Sequence, residues 1–321
     1  DIPIWAISSV SSRNADEKNG MVTLGRIGGT LGTVIVSVGS VPLLNAFGGE
    51  RSASAYTAMA AIVAISAAVL MILSGFVLRE RIEPPVKGIP FRRNIHTILD
   101  NRPLKALMVS LLVVNMVNSI RQVAQMYFAV YVWGDSGYVT YIGLSLVLGM
   151  ITGMALSPAL IRRWDKKYLF LIACAAGAVT SFLAFILGGG PVLGLIIIGF
   201  NFAFSGIALI CSTSMLMDSI DYAEYKLGFR GEGIVFSMNT FLTKLSATLS
   251  KGILGLSMTL MGYQDNMEPN DTVRIGFSAI VFVVPAVCFL LSMAPMALYR
   301  LKPAQLESIR KELDSRRTAG K

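Results

Sequence analysis

The stretch Met217–Gly233 reads MDSIDYAEYKLGFRGEG and packs acids and bases into one short run. Asp218, Asp221 and Glu224 stand at i, i+3 and i+6, so a helix puts all three carboxylates on one face. Lys226 and Arg230 follow closely enough to pair back to them. Grouped carboxylates can hold a hard divalent cation. With bases this near, an ion-paired gate is the better reading, one that locks helix ends in one conformation and releases them in another. No metal site is expected, and no cofactor.

Polar side chains also recur inside apolar runs. Asn115, Asn118, Gln122 and Gln125 are spaced by three, four and three, which places four amides on one helical face beside Arg121. A polar stripe at membrane depth faces a bundle interior or water. A second stripe lies in SMNTFLTKLSATLSK: Asn239, Thr243, Ser246 and Ser250 form one edge, and Thr240, Lys244 and Lys251 its neighbour. Lysines near helix ends snorkel to the interface. Lys244 stands more than ten residues from either end of its run, so it is read as a functional cation. Lys251 could be hydrated by an outer cavity. Arg26, about one turn into its run, is an interface anchor on position alone. Cys174, Cys211 and Cys288 sit singly in apolar runs as small hydrophobes. His96 stands without a partner in a basic loop. Nothing here composes a catalytic centre, so the chain is read as no enzyme.

Such residues need long apolar elements to hold them. The 321 residues are 54% hydrophobic and 15% charged, with mean hydropathy +0.64, against about 25% charged in soluble domains. Apolar segments run near 22–47, 54–78, 104–133, 140–161, 168–188, 192–217, 233–262 and 273–299. Each reaches the roughly 20 residues that span a bilayer as helix. Buried strands and barrel strands are far shorter, so the fold class is an all-α membrane protein. A further apolar piece, 1–9, opens the chain.

The net charge of +9 suggests nucleic acid until its placement is considered. Arg13 and Lys18; Arg79, Arg81, Lys87, Arg92, Arg93, Arg102 and Lys105; Arg162, Arg163, Lys166 and Lys167; Lys226 and Arg230; and Arg300, Lys302, Arg310, Lys311, Arg316, Arg317 and Lys321 all fall on alternate connections. The opposite connections hold Arg51 and Arg274. That is the positive-inside bias. It excludes a nucleic-acid partner and makes the C-terminus cytoplasmic. Arg26, Arg121, Lys244 and Lys251 remain inside apolar runs, against Asp1 as the one acid there. Their counter-charges are expected on helices outside this chain, or in a watered cavity.

The basic, proline-rich loop 79–103 divides the segments unevenly. Residues 1–78 are read as the remainder of an N-terminal helix bundle, 79–103 as a central cytoplasmic loop, 104–299 as a C-terminal six-helix bundle, and 300–321 as a cytoplasmic tail. Symmetry between two bundles leads us to expect about three and a half further helices upstream. In GRIGGTLG, Gly25 with Gly29 and Gly28 with Gly32 are spaced for close helix packing. The short loop RRWDKKYL is similar to the inner-loop signature of the major facilitator superfamily.

DIPIW, the GR of the next segment, NRPLKAL, and above all DSIDYAEYKLGFRGEG followed by SMNTFLTKLS resemble the glycoside–pentoside–hexuronide:cation symporter family. This is the melibiose-permease branch of the major facilitator superfamily. The resemblance runs the length of the chain in order. It implies twelve helices in two bundles, with this chain carrying the end of helix four and helices five to twelve. It implies that Asp1 and Trp5 contact the sugar, that Arg26 holds it, and that Lys244 links sugar and cation sites. A carboxylate and a guanidinium bond strongly to hydroxyls, and an indole stacks on sugar C–H. The amide face and Lys251 match nothing in the family. The coupling-cation acids belong upstream, with Asp1 near them, so Na⁺ or H⁺ coupling stays open.

The expected function is cation-coupled symport of a glycoside, pentoside or hexuronide, bound near mid-membrane among Asp1, Trp5, Arg26, Lys244, Asn115, Asn118, Gln122, Gln125, Asn239 and Thr243. Rival readings are a carrier of another anionic or amphipathic solute (a sulfonated sugar, a lysolipid), an uncoupled uniporter, and a membrane scaffold, for which the tail is too short to carry a signalling domain. The expected partners are the sugar and membrane lipid, and the expected form is a monomer in the bacterial inner membrane.

Overall fold

Lipid offers no partner to an open backbone, so apolar runs of this length must close their hydrogen bonds within a helix. The structure, a computed structural model, describes residues 15–47, 53–77, 101–135, 137–187, 190–228, 231–264, 270–301 and 303–319. All secondary structure among them is helical. The elements are α1 (Ala15–Ala46), α2 (Ala53–Val77), α3 (Arg102–Tyr131), α4 (Tyr138–Arg163), α5 (Lys166–Leu187), α6 (Pro191–Leu227), α7 (Glu232–Leu260), α8 (Asp271–Met296) and α9 (Pro303–Ala319).

Each expected apolar segment becomes one of α1 to α8. Among the described residues, α2 to α6 and α8 are long and apolar enough to cross a membrane. At 29 residues α7 has the length, but its two lysines and frequent Ser and Thr lower its hydropathy. Leu70, Met71, Ile72, Leu73 and Phe76 of α2 are all exposed. Contiguous faces of this kind demand an apolar solvent, which a bilayer supplies.

The described helices fall into two units, α1 with α2 and α3 with α4 to α9. In the larger unit α3 is central, packed by α7, α8 and α6. Its start is set by Asn101, whose Oδ1 accepts from the Leu104 amide at 3.0 Å, with Pro103 in the first turn. The same side chain donates through Nδ2 to Ser219 O on α6 at 2.9 Å.

The closest helix approach joins α4 to α6. A Cβ added at Gly153 would stand 1.9 Å from Ala203 O, and one at Gly149 2.1 Å from Gly199 O. The glycine-dense run of α1 is different. Nothing lies within 4 Å of such an atom at Gly28, Gly29 or Gly32. Within its unit the described neighbour of α1 is α2.

In α8 a π-helical turn, Ala279–Val283, precedes Pro285. Proline has no N–H for the carbonyl four residues back, which is Val281 O. Arg121 Nε donates to that carbonyl instead, at 3.3 Å.

Candidate functional site

Asp218, Asp221 and Glu224 share one face of α6, as their spacing requires, and are 2%, 4% and 3% exposed. Buried carboxylates need cations and hydrogen bonds in place of water. Lys166 at the start of α5 donates from Nζ to Asp218 Oδ2 at 2.7 Å. Arg310 of α9 donates from Nη2 to Asp218 Oδ1 at 2.7 Å and from Nε to Asp221 Oδ2 at 3.3 Å. Lys167 Nζ donates to Tyr299 O at 2.7 Å. The helix α6 stops at Gly228, where φ is +76° and the amide donates to Glu224 O.

The sequence reading did not find these partners. Among the described residues, cations reach Asp218 and Asp221 from the start of α5 and from α9. Lys226 is exposed, and Arg230 lies outside the described residues. Arg310 escaped the sequence reading because it stands 89 residues from Asp221. One signal was present: Leu306, Ile309 and Leu313 repeat at i, i+3 and i+7, and all three are buried. They seat α9 against α6 and so deliver Arg310 to the carboxylates. Burial works against the charge on Arg310, but Asp218 and Asp221 outweigh it and raise the guanidinium pKa above its ordinary value. A raised value leaves this contribution intact below the ordinary pKa, so Arg310 is charged throughout the neutral range.

Arg121 also departs from expectation. It is 5% exposed and faces neither an acid nor water. Nη1 donates to Asn201 Oδ1, Nη2 to Ser181 Oγ at 2.8 Å, and Nε to Val281 O. Its Cζ lies 5.4 Å from the Phe202 ring centroid and 5.9 Å from that of Phe289, within cation–π range. Asn201 in turn donates to Gly177 O at 2.7 Å and to Ser181 Oγ at 2.6 Å. Neutral dipoles and ring faces therefore stabilise this charge, which ties α3, α5, α6 and α8 together. Arg121→Met is expected to lower unfolding stability by about 2–4 kcal/mol, since several buried acceptors lose their donor. Thermal unfolding in detergent checks it; an unchanged midpoint would refute the structural role.

The polar stripes separate by face. On α7, Thr243 and Lys244 are exposed and Asn239 is half-buried. Ser246 and Ser250 turn inward, donating to Leu112 O at 2.7 Å and Met116 O at 3.4 Å on α3. The expected single edge is thus split, and its serine half joins helices. On α3, Gln122 is exposed while Asn115, Asn118 and Gln125 are half-buried. Asn118 Oδ1 and Gln125 Oε1 accept no hydrogen bond among the described residues, so both remain open to a donor. Arg26 is half-buried in α1. Asp1 and Trp5 lie outside the described residues. A cavity of about 270 Å³ opens among Phe128, Trp133, Phe185, Ser278 and Phe282. None of its lining residues belongs to these stripes. Among the described residues no group of His, Cys, Asp and Glu could hold a metal ion.

The architecture is that of an all-α membrane protein of the major facilitator fold. It superposes on the Escherichia coli fucose:proton symporter with a TM-score of 0.62 at 14% identity, covering 92% of this chain and 72% of that one. The chain belongs to the family described as MFS/sugar transport protein, which matches residues 1–303. Among relatives, a Salmonella typhimurium protein named as a candidate sulfoquinovose importer is 28% identical over 96% of this chain and 66% of its own length. The isoprimeverose transporter of Lactiplantibacillus pentosus is 26% identical over 94% and 64%. A glucuronide carrier protein homolog of Escherichia coli is 24% identical over 84% and 59%. The chain therefore spans about two thirds of the length of the curated relatives it matches, or somewhat less.

Proposed function

We propose that the chain belongs to a secondary carrier that moves a glycoside, pentoside or hexuronide by alternating access, coupled to a Na⁺ or H⁺ gradient. The observation that carries this reading is Lys244, an exposed cation deep within α7, in a chain whose family comprises sugar carriers. A lysine at that depth on a lipid-facing surface costs about 2.5–3.5 kcal/mol. A watered path lined by α7 removes that cost and puts an ammonium within reach of sugar hydroxyls. The reading gives Asp1, Trp5 and Arg26 to the sugar as well, and gives the open amides of α3 to its donors. It places the carrier in the bacterial inner membrane as a monomer, with α9 and its basic neighbours on the cytoplasmic side. The Asp218 cluster then acts as a cytoplasmic gate.

Uptake by vesicles carrying the full-length protein tests coupling. Accumulation should collapse when the responsible Na⁺ or pH gradient is dissipated. Uptake indifferent to both gradients would leave a uniporter. Lys244→Gln is expected to reduce uptake at least tenfold, the loss of one charge-assisted hydrogen bond, with a melting midpoint close to that of the parent because the side chain is exposed. Undiminished uptake would remove Lys244 from the site.

A further inference from the structure

The cavity at the ends of α3 and α5 and the start of α6 lies at the other end of these helices from the Asp218 cluster, and the carrier reading makes no use of it. Its volume is about 270 Å³. An apolar cavity of about 150 Å³ is enough for benzene, so this one has room for two fused rings.

Its walls favour rings over chains. Phe128 stands on α3, Trp133 just beyond it, Phe185 on α5 and Phe282 on α8. The Phe128 ring lies 4.8 Å from that of Trp133 and 5.3 Å from that of Phe282, at interplanar angles of 66° and 89°. Steeply inclined rings offer both faces and edges, and a further aromatic ring gains from pairing with them beyond the gain of its burial. Gly194 on α6 fixes the Trp133 wall, because an added Cβ there would stand 2.6 Å from the indole Cζ2.

No charged side chain lines the cavity, so an ion would enter without a partner. The one hydroxyl among the lining residues is that of Ser278 on α8. It donates to Arg274 O at 2.8 Å, which leaves its lone pairs to accept a bond. A molecule that completes this site is neutral and flat, and carries one N–H or O–H. Ser278 precedes the π-helical turn Ala279–Val283, and Phe282 lies within it, next to the Val281 carbonyl that Arg121 holds. An occupant would brace that turn against α3, α5 and α6.

We propose that this cavity binds a small neutral aromatic molecule with one hydrogen-bond donor, of the indole or naphthol class, at a site separate from the residues assigned to the sugar.

The test follows fluorinated indole and fluorinated naphthalene by fluorine NMR against the full-length protein in phosphatidylethanolamine–phosphatidylglycerol nanodiscs. Both should bind the parent saturably, and indole should raise its melting midpoint. Ala184→Phe fills the cavity from its α5 wall and should abolish both effects. Ser278→Ala should raise the Kd of indole about fivefold, the loss of one hydrogen bond, and leave that of naphthalene unchanged. Signals that grow with lipid and never saturate would overturn the proposal, as would equal Kd values in the parent and Ala184→Phe, or an indole Kd indifferent to Ser278→Ala. Decanol displacing naphthalene as well as indole does would make the cavity an acyl-chain pocket and overturn the aromatic assignment. Should Ala184→Phe fail to fold, the Ser278→Ala comparison decides alone.

Discussion

Asp218→Ala is expected to lower the stability of the larger unit by about 2–4 kcal/mol and to sharply reduce uptake. One buried carboxylate here holds two cations, each at 2.7 Å. Breaking a buried ion pair from one side costs about 3–5 kcal/mol, because the abandoned charge has lost its water. Lys166 and Arg310 keep 19% and 30% of their exposure, so they can partly rehydrate, which places the effect toward the lower end. Arg310→Ala should cost about 1 kcal/mol, as expected for a partly exposed partner. Combining the two substitutions should cost less than their sum, since the contact they share is lost only once. Thermal unfolding in detergent gives these values, and strict additivity would show that Arg310 and Asp218 do not act as a pair. Raised salt should weaken the Arg310 contact more than the Lys166 contact, in line with their exposure.

On the gate reading, Asp218→Ala also loosens α9 from α6, leaving Arg310 its contact with Asp221. Transport would then fail through a shifted conformational equilibrium rather than through weaker sugar binding. Substrate binding measured in detergent should stay near the parent value while uptake falls. A parallel loss of binding and uptake would argue that the cluster supports the fold alone.

Gly153→Ala should be the most damaging single methyl in the membrane region. The new Cβ would stand 1.9 Å from Ala203 O, and ordinary contact begins near 3.4 Å. The obstacle is backbone, so no side chain can swing aside. Helices α4 and α6 would have to part by about 1.5 Å, undoing the neighbouring contacts at Gly149 and Gly206 as well. Overpacking usually costs about 1–3 kcal/mol, and a backbone obstacle puts this case at or above the upper limit. Gly143→Ala on the same helix is the control, because its Cβ would meet nothing within 4 Å. It should melt with the parent. Equal midpoints for both variants would mean that α4 and α6 do not cross this closely.

The face-sharing of Asp218, Asp221 and Glu224 was legible because it depends only on a helical repeat of 3.6 residues within a run that must be helical. For the same reason the amide stripe of α3 and the lysine face of α7 could be read before any fold was known. Ser246 and Ser250 were read as one edge with Asn239 and Thr243, but periodicity defines a face and not which neighbour covers it, and α3 covers the two serines. Arg121 shows the limit most clearly. Its charge and membrane depth suggested a missing acid, but its partners are a carbonyl released by Pro285, an amide on α6 and a hydroxyl on α5. Those groups lie 60 to 160 residues away, and each is ordinary in its own local sequence.

Sequence alone therefore determined the helices, their membrane-spanning character and the grouping of charges along each one. These follow from hydropathy and from geometry between chain neighbours. Only the tertiary structure decided which cations neutralise the α6 acids, which glycines let α4 and α6 touch, and how a buried guanidinium is satisfied without a counter-ion. Each depends on contact between distant helices. Such contacts are selected by packing and by the need to pair every buried polar group, and neither is encoded within a single run.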